Sequence, residues 1–348
     1  NLCIARFTKF KYVFLTGHHS LFMACLMSAV LGTAGLSGME LILVGGFLMG
    51  AWSAISPAIG QSYTSKVTDG DEIAIGHFGS LGYYLSAWVA KYVGKADDST
   101  EDIEIPEKWG FLRDSTLSTA LTMIVFYLIA AFAAGSEFVA TLSGDMSPYL
   151  YAVMSAMNFA VGVTIVYSGV RMILGDLIPA FQGIATKIIP NAIPAVDCAV
   201  FFTYAPTAVV LGFISSFIGG IIGMLILGAV GGVLIIPGLV PHFFCGATAG
   251  IYGNATGGRR GAAVGAFLNG LAITFLPAMA LPVLGQLGFQ NTTFGDADFA
   301  VMGLVLGNAY EWVGMAGIYG IVAIAALVLI IPNFIKTKGK VINYVEED

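Results

Sequence analysis

Charge is scarce in this chain. Lys and Arg number 15, Asp and Glu 21, and charged residues make up 10% of the 348. A soluble domain typically carries about 25%, so this shortfall excludes an ordinary soluble fold. Cysteine is also sparse: Cys3, Cys25, Cys198 and Cys245, with no CxxC spacing. That excludes a disulfide framework, a dithiol redox pair and a cysteine zinc site, and these residues read as small buried hydrophobes. No basic stripe is present, which excludes nucleic-acid binding. The four His residues form no HExxH pair, no GK[ST] ending follows the glycines, and no Ser–His–Asp arrangement stands out. Self-contained catalysis, a metal and a cofactor are therefore not expected. The chain opens on Asn without a signal-peptide pattern, so it is expected to begin inside a longer protein.

What is present is apolar. The hydrophobic fraction is 57% and the mean hydropathy is +0.86. These values predict an all-α polytopic membrane protein. A span needs about 20 mostly apolar residues. Eight candidates follow: 13–34, 41–61, 115–138, 148–172, 207–229, 232–254, 261–285 and 303–333. Two further apolar stretches, 72–93 and 178–206, are broken; the second contains Pro179, Pro190, Pro194 and Pro206. Broken membrane segments survive only where protein or a water-filled cavity covers them, and both are expected to be hairpins of half-helices. With the N-terminal Arg6, Lys9 and Lys11 inside, the positive-inside rule also places Lys66, Lys91, Lys95, Lys108, Arg113, Arg259, Arg260, Lys336, Lys338 and Lys340 inside. The connections near 35–40, 139–147, 230 and 286–299 hold no Lys or Arg and fall outside. The acidic stretch 95–114 becomes a cytoplasmic loop, and Glu346-Glu347-Asp348 a solvated tail. A faint repeat links Pro57-Ala58-Ile59, upstream of His77, with Pro179-Ala180-Phe181, upstream of Asp197.

Three polar clusters interrupt the apolar background: Thr16-Gly17-His18-His19, Gly76-His77-Phe78-Gly79 and Pro194-Ala195-Val196-Asp197-Cys198. Ionisable residues at membrane depth are costly and usually mark a substrate or ion path. A neutral imidazole both donates and accepts, which suits a hydroxyl-rich ligand. Asp197 can accept hydrogen bonds from sugar hydroxyls or bind a cation or proton; capping of a half-helix N-terminus is the equal structural reading. Arg171 and Asp176 read as a loose structural pair, and His242 and Glu311 receive no role. The glycine-rich run 246–260 reads as close helix packing followed by a cytoplasmic turn, or as a docking surface for a soluble partner. Asn291-Thr292-Thr293 fits a glycosylation sequon, a weak pattern.

The run IPGLVPHFFCGATAGIYGNATGGRRGAAVGAFLN, from Ile236 to Asn269, resembles the ascorbate family of bacterial phosphotransferase-system (PTS) membrane subunits, enzyme IIC. FLTGHHSLFMACLMSAVLG, AIGHFGSLGYYLSAW, STEDIEIPEKWGFLRD, SGVRMILGDLIPAF, IPNAIPAVDCAV and NTTFGDADF are similar to the same family in the same order. The resemblance implies a homodimer in the bacterial inner membrane, with a V-shaped dimer motif and a mobile core. The core would be 1–114 and 176–348, the dimer motif 115–175, and several N-terminal spans would be missing. It implies uptake of L-ascorbate or a related sugar acid. The sugar would be phosphorylated by a soluble IIB subunit carrying a phosphocysteine, itself charged by IIA. The family's substrate-binding His and Asp positions fall on His18, His77 and Asp197. Phe22 and Phe78 stand where some members have Gln, and Phe offers stacking in place of amide hydrogen bonds. Two rival readings stand beside this one. The first is an ion-coupled secondary transporter of a sugar-like or polyol substrate with Asp197 as its proton or Na⁺ site; the second is a non-transporting membrane component such as a sensor or regulatory partner.

Overall fold

A computed structural model describes residues 1–70, 72–103, 115–285 and 293–335. Lys108, Arg113, the sequon at Asn291, Lys336, Lys338, Lys340 and the acidic tail lie outside the described residues, as do the side chains of Arg171 and Asp176.

Helices α1 (Leu2–Phe7), α2 (Gly17–Thr33), α3 (Gly38–Val67), α4 (Ser80–Val93), α5 (Ser115–Ala134), α6 (Ser136–Ser143), α7 (Pro148–Lys187), α8 (Cys198–Phe201), α9 (Pro206–Ala229), α10 (Leu239–Gly285), α11 (Ala297–Val313) and α12 (Met315–Phe334) carry most of the chain. Strands β1 (Tyr12–Phe14), β2 (Ala74–Ile75) and β3 (Ile193–Val196) are short. Six helical stretches among the described residues are long and apolar enough to cross a membrane: Gly38–Val67, Thr116–Ala134, Pro148–Val166, Pro206–Ala229, Leu239–Leu284 and Met315–Phe334. The chain is an all-α polytopic membrane protein. Three differences of detail from the expected spans have local causes. The run 13–34 opens as strand β1 and turns helical only at Gly17, so α2 is 17 residues long and is not among the six. The run 303–333 divides at Gly314, whose φ of 63° only glycine adopts readily, into α11 and α12. α10 holds two expected spans in one element, bent where Gly257 and Gly258 leave helical geometry.

The broken segments take a form the sequence did not suggest. In each, the break is extended backbone rather than a tight turn between half-helices. β3 lies between β1 and β2, and both pairings are parallel. Tyr12 pairs with Ile193, Phe14 with Ala195, and Ala74 with Ala195. Extended backbone in an apolar bundle needs partners for every N–H and C=O, and these three segments supply them to one another. The Ile193 N–H donates to the Lys11 C=O, that of Leu15 to the Ala195 C=O, and that of Gly76 to the Val196 C=O. Glycine is required at position 76: a Cβ there would lie 2.3 Å from the Ala195 carbonyl oxygen. The two halves of the faint repeat thus share one plan, a helix leading into a strand, with β2 and β3 running in the same direction.

The chain divides into two units, residues 1–100 with 178–348, and residues 101–177. In the larger unit, α10 packs along α9 and α4. Its contact with α9 depends on small residues: a Cβ on Gly212 would lie 2.5 Å from the Gly246 carbonyl oxygen, and one on Gly250 2.6 Å from that of Ala208. Close approach of this kind is how helices associate where lipid offers no hydrophobic drive between them. The bend of α10 is pinned by the loop after α4. Arg259 donates its backbone N–H to the Asp98 C=O at 2.7 Å, and the Thr100 N–H donates to Asn254 Oδ1 at 2.8 Å. The smaller unit packs Ala131, Val139 and Ala152 against Tyr127, Leu128 and Tyr151. A polar link between α5 and α7 runs from Thr164 Oγ1 to Thr116 Oγ1 at 3.3 Å.

Candidate functional site

Each polar cluster of the sequence sits where a strand of the small sheet ends. β1 delivers Thr16–His19 at the start of α2, β2 delivers His77–Gly79 at the start of α4, and β3 delivers Asp197 at the start of α8. Because the strands are parallel, all three clusters emerge on the same side. A fourth helix start, that of α11, adds Asp296.

The side chains meet closely. His18 and His19 have ring centroids 4.6 Å apart, and His19 and His77 3.8 Å apart. His18 Nε2 lies 3.5 Å from Asp197 Oδ2, with the His18 side chain 60% exposed and that of Asp197 27%. Asp197 Oδ1 accepts from the Ala199 backbone N–H at 3.2 Å. One carboxylate oxygen therefore caps α8 and the other faces His18. Deeper in, His19 Nε2 lies 3.7 Å and His77 Nδ1 4.0 Å from Asp296 Oδ2. Asp296 Oδ1 accepts from the Cys245 thiol at 3.0 Å. His19 and His77 are buried.

The backbone assigns the tautomers of both inner imidazoles. The Phe78 N–H donates to His19 Nδ1 at 3.2 Å. The Gly79 N–H donates to His77 Nδ1 at 3.2 Å, and the Tyr83 hydroxyl reaches the same nitrogen at 2.7 Å. A backbone N–H only donates, so each Nδ1 is an acceptor and each neutral ring carries its proton on Nε2. Both rings therefore present an Nε2–H donor.

This pattern bears on metal binding. His19, His77 and Asp296 bring ligand-type atoms within 4.8 Å of one another, as do His77, Asp197 and Cys198. A metal-binding imidazole offers one lone pair to the ion and donates its other N–H to an acceptor. Here the backbone takes the Nδ1 lone pairs and leaves protons on Nε2, so the residues suit a hydrogen-bonding ligand better than an ion.

Of the residues singled out from sequence, His18, His77 and Asp197 converge here. Phe22 follows His18 by one helical turn and is 52% exposed. Phe78 is wholly buried, stacked on Phe14 at 4.6 Å with the Phe299 ring at its edge. Its ring is a core side chain, and its backbone N–H is what reaches the His19 imidazole. The cysteines split: Cys198 and Cys245 are buried, whereas Cys3 and Cys25 are exposed. Sequence reasoning gave no site role to His19, Cys245, Tyr83 or Asp296. Asp296 had a signal, since a Gly-Asp pair just before an apolar run is a helix-start pattern. Cys245 and Tyr83 had none, because their roles depend on α4, α10 and α11 meeting.

Polar groups gathered between broken segments inside a glycine-rich apolar bundle define a membrane permease. The chain belongs to the family of PTS system sugar-specific permease components, whose match runs over residues 1–298. That family consists of membrane permease subunits, not of enzymes acting alone. The chain is also similar to an ascorbate-specific PTS system EIIC component of Mycoplasma pneumoniae (strain ATCC 29342 / M129 / Subtype 1), with 26% identity over 351 residues. The match covers 88% of this chain and 53% of that relative, so the chain spans about half the relative's length.

Proposed function

We propose that this chain forms the substrate-binding part of a PTS permease that takes up L-ascorbate or a related sugar acid for phosphorylation. The observation that carries the reading is the joint between donors and acceptors at the site. His19 and His77 offer Nε2–H groups, and Asp197 and Asp296 offer carboxylate oxygens. A polyhydroxylated ring with enol oxygens meets both needs: its oxygens accept from the imidazoles and its hydroxyls donate to the carboxylates. His18 and Phe22 line the exposed edge, where Phe22 can stack on a flat ring. Phe78 acts through its backbone and the packing of its ring.

In this reading a soluble IIB subunit, charged by IIA, supplies the phosphoryl group from a phosphocysteine. The sugar hydroxyl attacks phosphorus, an O–P bond forms as the S–P bond breaks, the IIB cysteine leaves as its thiolate with the bonding electrons, and the hydroxyl proton passes to water or to that thiolate. Asp197, at the open edge, orients that hydroxyl by accepting its hydrogen bond. The turn bearing Arg259 and Arg260 is the proposed docking face for IIB. Residues 115–175 form the V-shaped motif of a homodimer, and 1–114 with 176–348 form the mobile core. The protein sits in the bacterial inner membrane with its basic loops inside.

The test is uptake of labelled ascorbate by cells expressing the full-length protein, with and without its IIB subunit and with phosphoenolpyruvate depleted. Labelled ascorbate phosphate that accumulates only with IIB and phosphoenolpyruvate is the expected result. Uptake that survives their loss but collapses with the ion gradient would replace this reading with an ion-coupled transporter.

A further inference from the structure

We propose that Asp298 is the positioning residue that sets the tautomers of His19 and His77, and through them the donor pattern of the site. The inference rests on the proposed role of those imidazoles in binding substrate, but its first readout does not.

Asp298 lies in the first turn of α11, two residues after Asp296, and is wholly buried. A buried carboxylate persists only if its oxygens are satisfied. Here Oδ2 accepts from Ser80 Oγ at 2.7 Å and from Trp52 Nε1 at 3.1 Å. Oδ1 accepts from the Leu81 backbone N–H at 3.0 Å. The Asp298 backbone N–H donates to the Phe78 C=O at 2.9 Å. Three of these four bonds go to Phe78, Ser80 and Leu81. The N-cap of α4 is Gly79, which has no side chain to offer the orphan N–H groups of the first turn. Asp298 supplies that cap from another helix and places negative charge at the positive end of α4.

The consequence lies between those anchor points. The Phe78 and Gly79 N–H groups are the donors that hold Nδ1 of His19 and His77 as acceptors. On the far side of His77 the chain is fixed by the Gly76 N–H to the Val196 C=O at 2.7 Å. The loop is therefore clamped by the sheet at one end and by Asp298 at the other. Removing the second clamp frees the two N–H groups, and with them the choice of which nitrogen carries each proton. Asn is a poor substitute: every group facing the Asp298 oxygens is a donor, so an amide NH₂ must confront at least one of them.

The experiment uses the full-length protein with ¹⁵N-imidazole histidine, free of substrate, and compares wild type with Asp298→Asn. Wild type should show His19 and His77 protonated on Nε2, each assigned by its loss in the His→Gln variant. Asp298→Asn should show a mixture of tautomers and weaken ascorbate binding roughly tenfold, the scale of one charge-assisted hydrogen bond. Because Asp298→Asn can fail to fold, a second variant, Trp52→Phe with Ser80→Ala, removes both donors to Oδ2 and keeps the charge. It should shift the tautomers in the same direction by less. Unchanged Nε2 tautomers in either folded variant overturn the proposal. A tautomer shift with unchanged ascorbate binding upholds the positioning role and overturns the substrate reading on which it was built.

Discussion

The site holds two carboxylates that each face histidine, and they differ in depth. Asp197 meets His18 at the open edge, where both side chains keep contact with solvent. Asp296 meets buried His19 and His77, is itself 16% exposed, and is held by the Cys245 thiol. The two carboxylates differ in their surroundings and in the nitrogens that face them: Nε2 of His18 at the edge, Nε2 of His19 and the acceptor Nδ1 of His77 inside. Exposed ion pairs are typically worth about 0–1 kcal/mol, because solvent screens them and ordering two side chains costs entropy. Removing the partner of a buried hydrogen-bonded group costs roughly 1–3 kcal/mol, because the remaining group is left unsatisfied. The outer pair is thus free to exchange its contacts with a ligand, and the inner node is built to hold its shape. In the proposed function, recognition that needs fixed geometry belongs to Asp296 and His77, and any step that needs movement or access to His18 and Asp197.

Substitutions separate the two levels, beginning with the largest effect. Asp296→Ala leaves the buried Cys245 thiol without its acceptor and removes the carboxylate beside His19 and His77. It should lower ascorbate affinity by about two orders of magnitude, some 3 kcal/mol, measured by binding of labelled ascorbate to the purified full-length protein. His77→Ala removes one donor and the partner of Tyr83, and should cost about tenfold to hundredfold in the same assay. Gly76→Ala acts on the frame that both levels share. Its Cβ would strike the Ala195 carbonyl, so detergent-solubilised protein should lose roughly 1–3 kcal/mol of stability in thermal unfolding. Asp197→Asn at the open edge should change affinity by less than about 1 kcal/mol, while IIB-dependent phosphorylation falls more than binding does. An equal fall in both would assign Asp197 to binding alone. Phe22→Gln should leave stability within about 0.5 kcal/mol, as expected for an exposed site, and should appear as an altered ratio of ascorbate uptake to uptake of a competing polyol.

Much of this arrangement was legible in the chain. Long apolar runs and scarce charge define the membrane helices, since the bilayer leaves few alternatives. The three polar clusters stand out against that background, and His18, His77 and Asp197 do meet. Two features were hidden for physical reasons. The strands are two to four residues long, too short for a period-2 pattern to register. Pro194, which argues against a straight helix, is compatible with extended backbone as readily as with a hairpin turn. The inner node depends on α11 returning to the start of α4, a contact between residues more than 200 positions apart in sequence. No local spacing announces it. Asp296 and Asp298 together look like ordinary first-turn acids of a helix, and only the packing shows that one faces the imidazoles and the other caps a different helix.

The inner His–Asp node is proposed as the sugar-binding site of a PTS permease. The most direct measurement is equilibrium binding of labelled ascorbate to the purified full-length protein, wild type against Asp296→Ala, with correct folding of each checked by its thermal unfolding. Saturable binding to wild type and a loss of about hundredfold in the variant at unchanged fold are expected. Equal binding by both proteins would contradict it and would move the site away from the node.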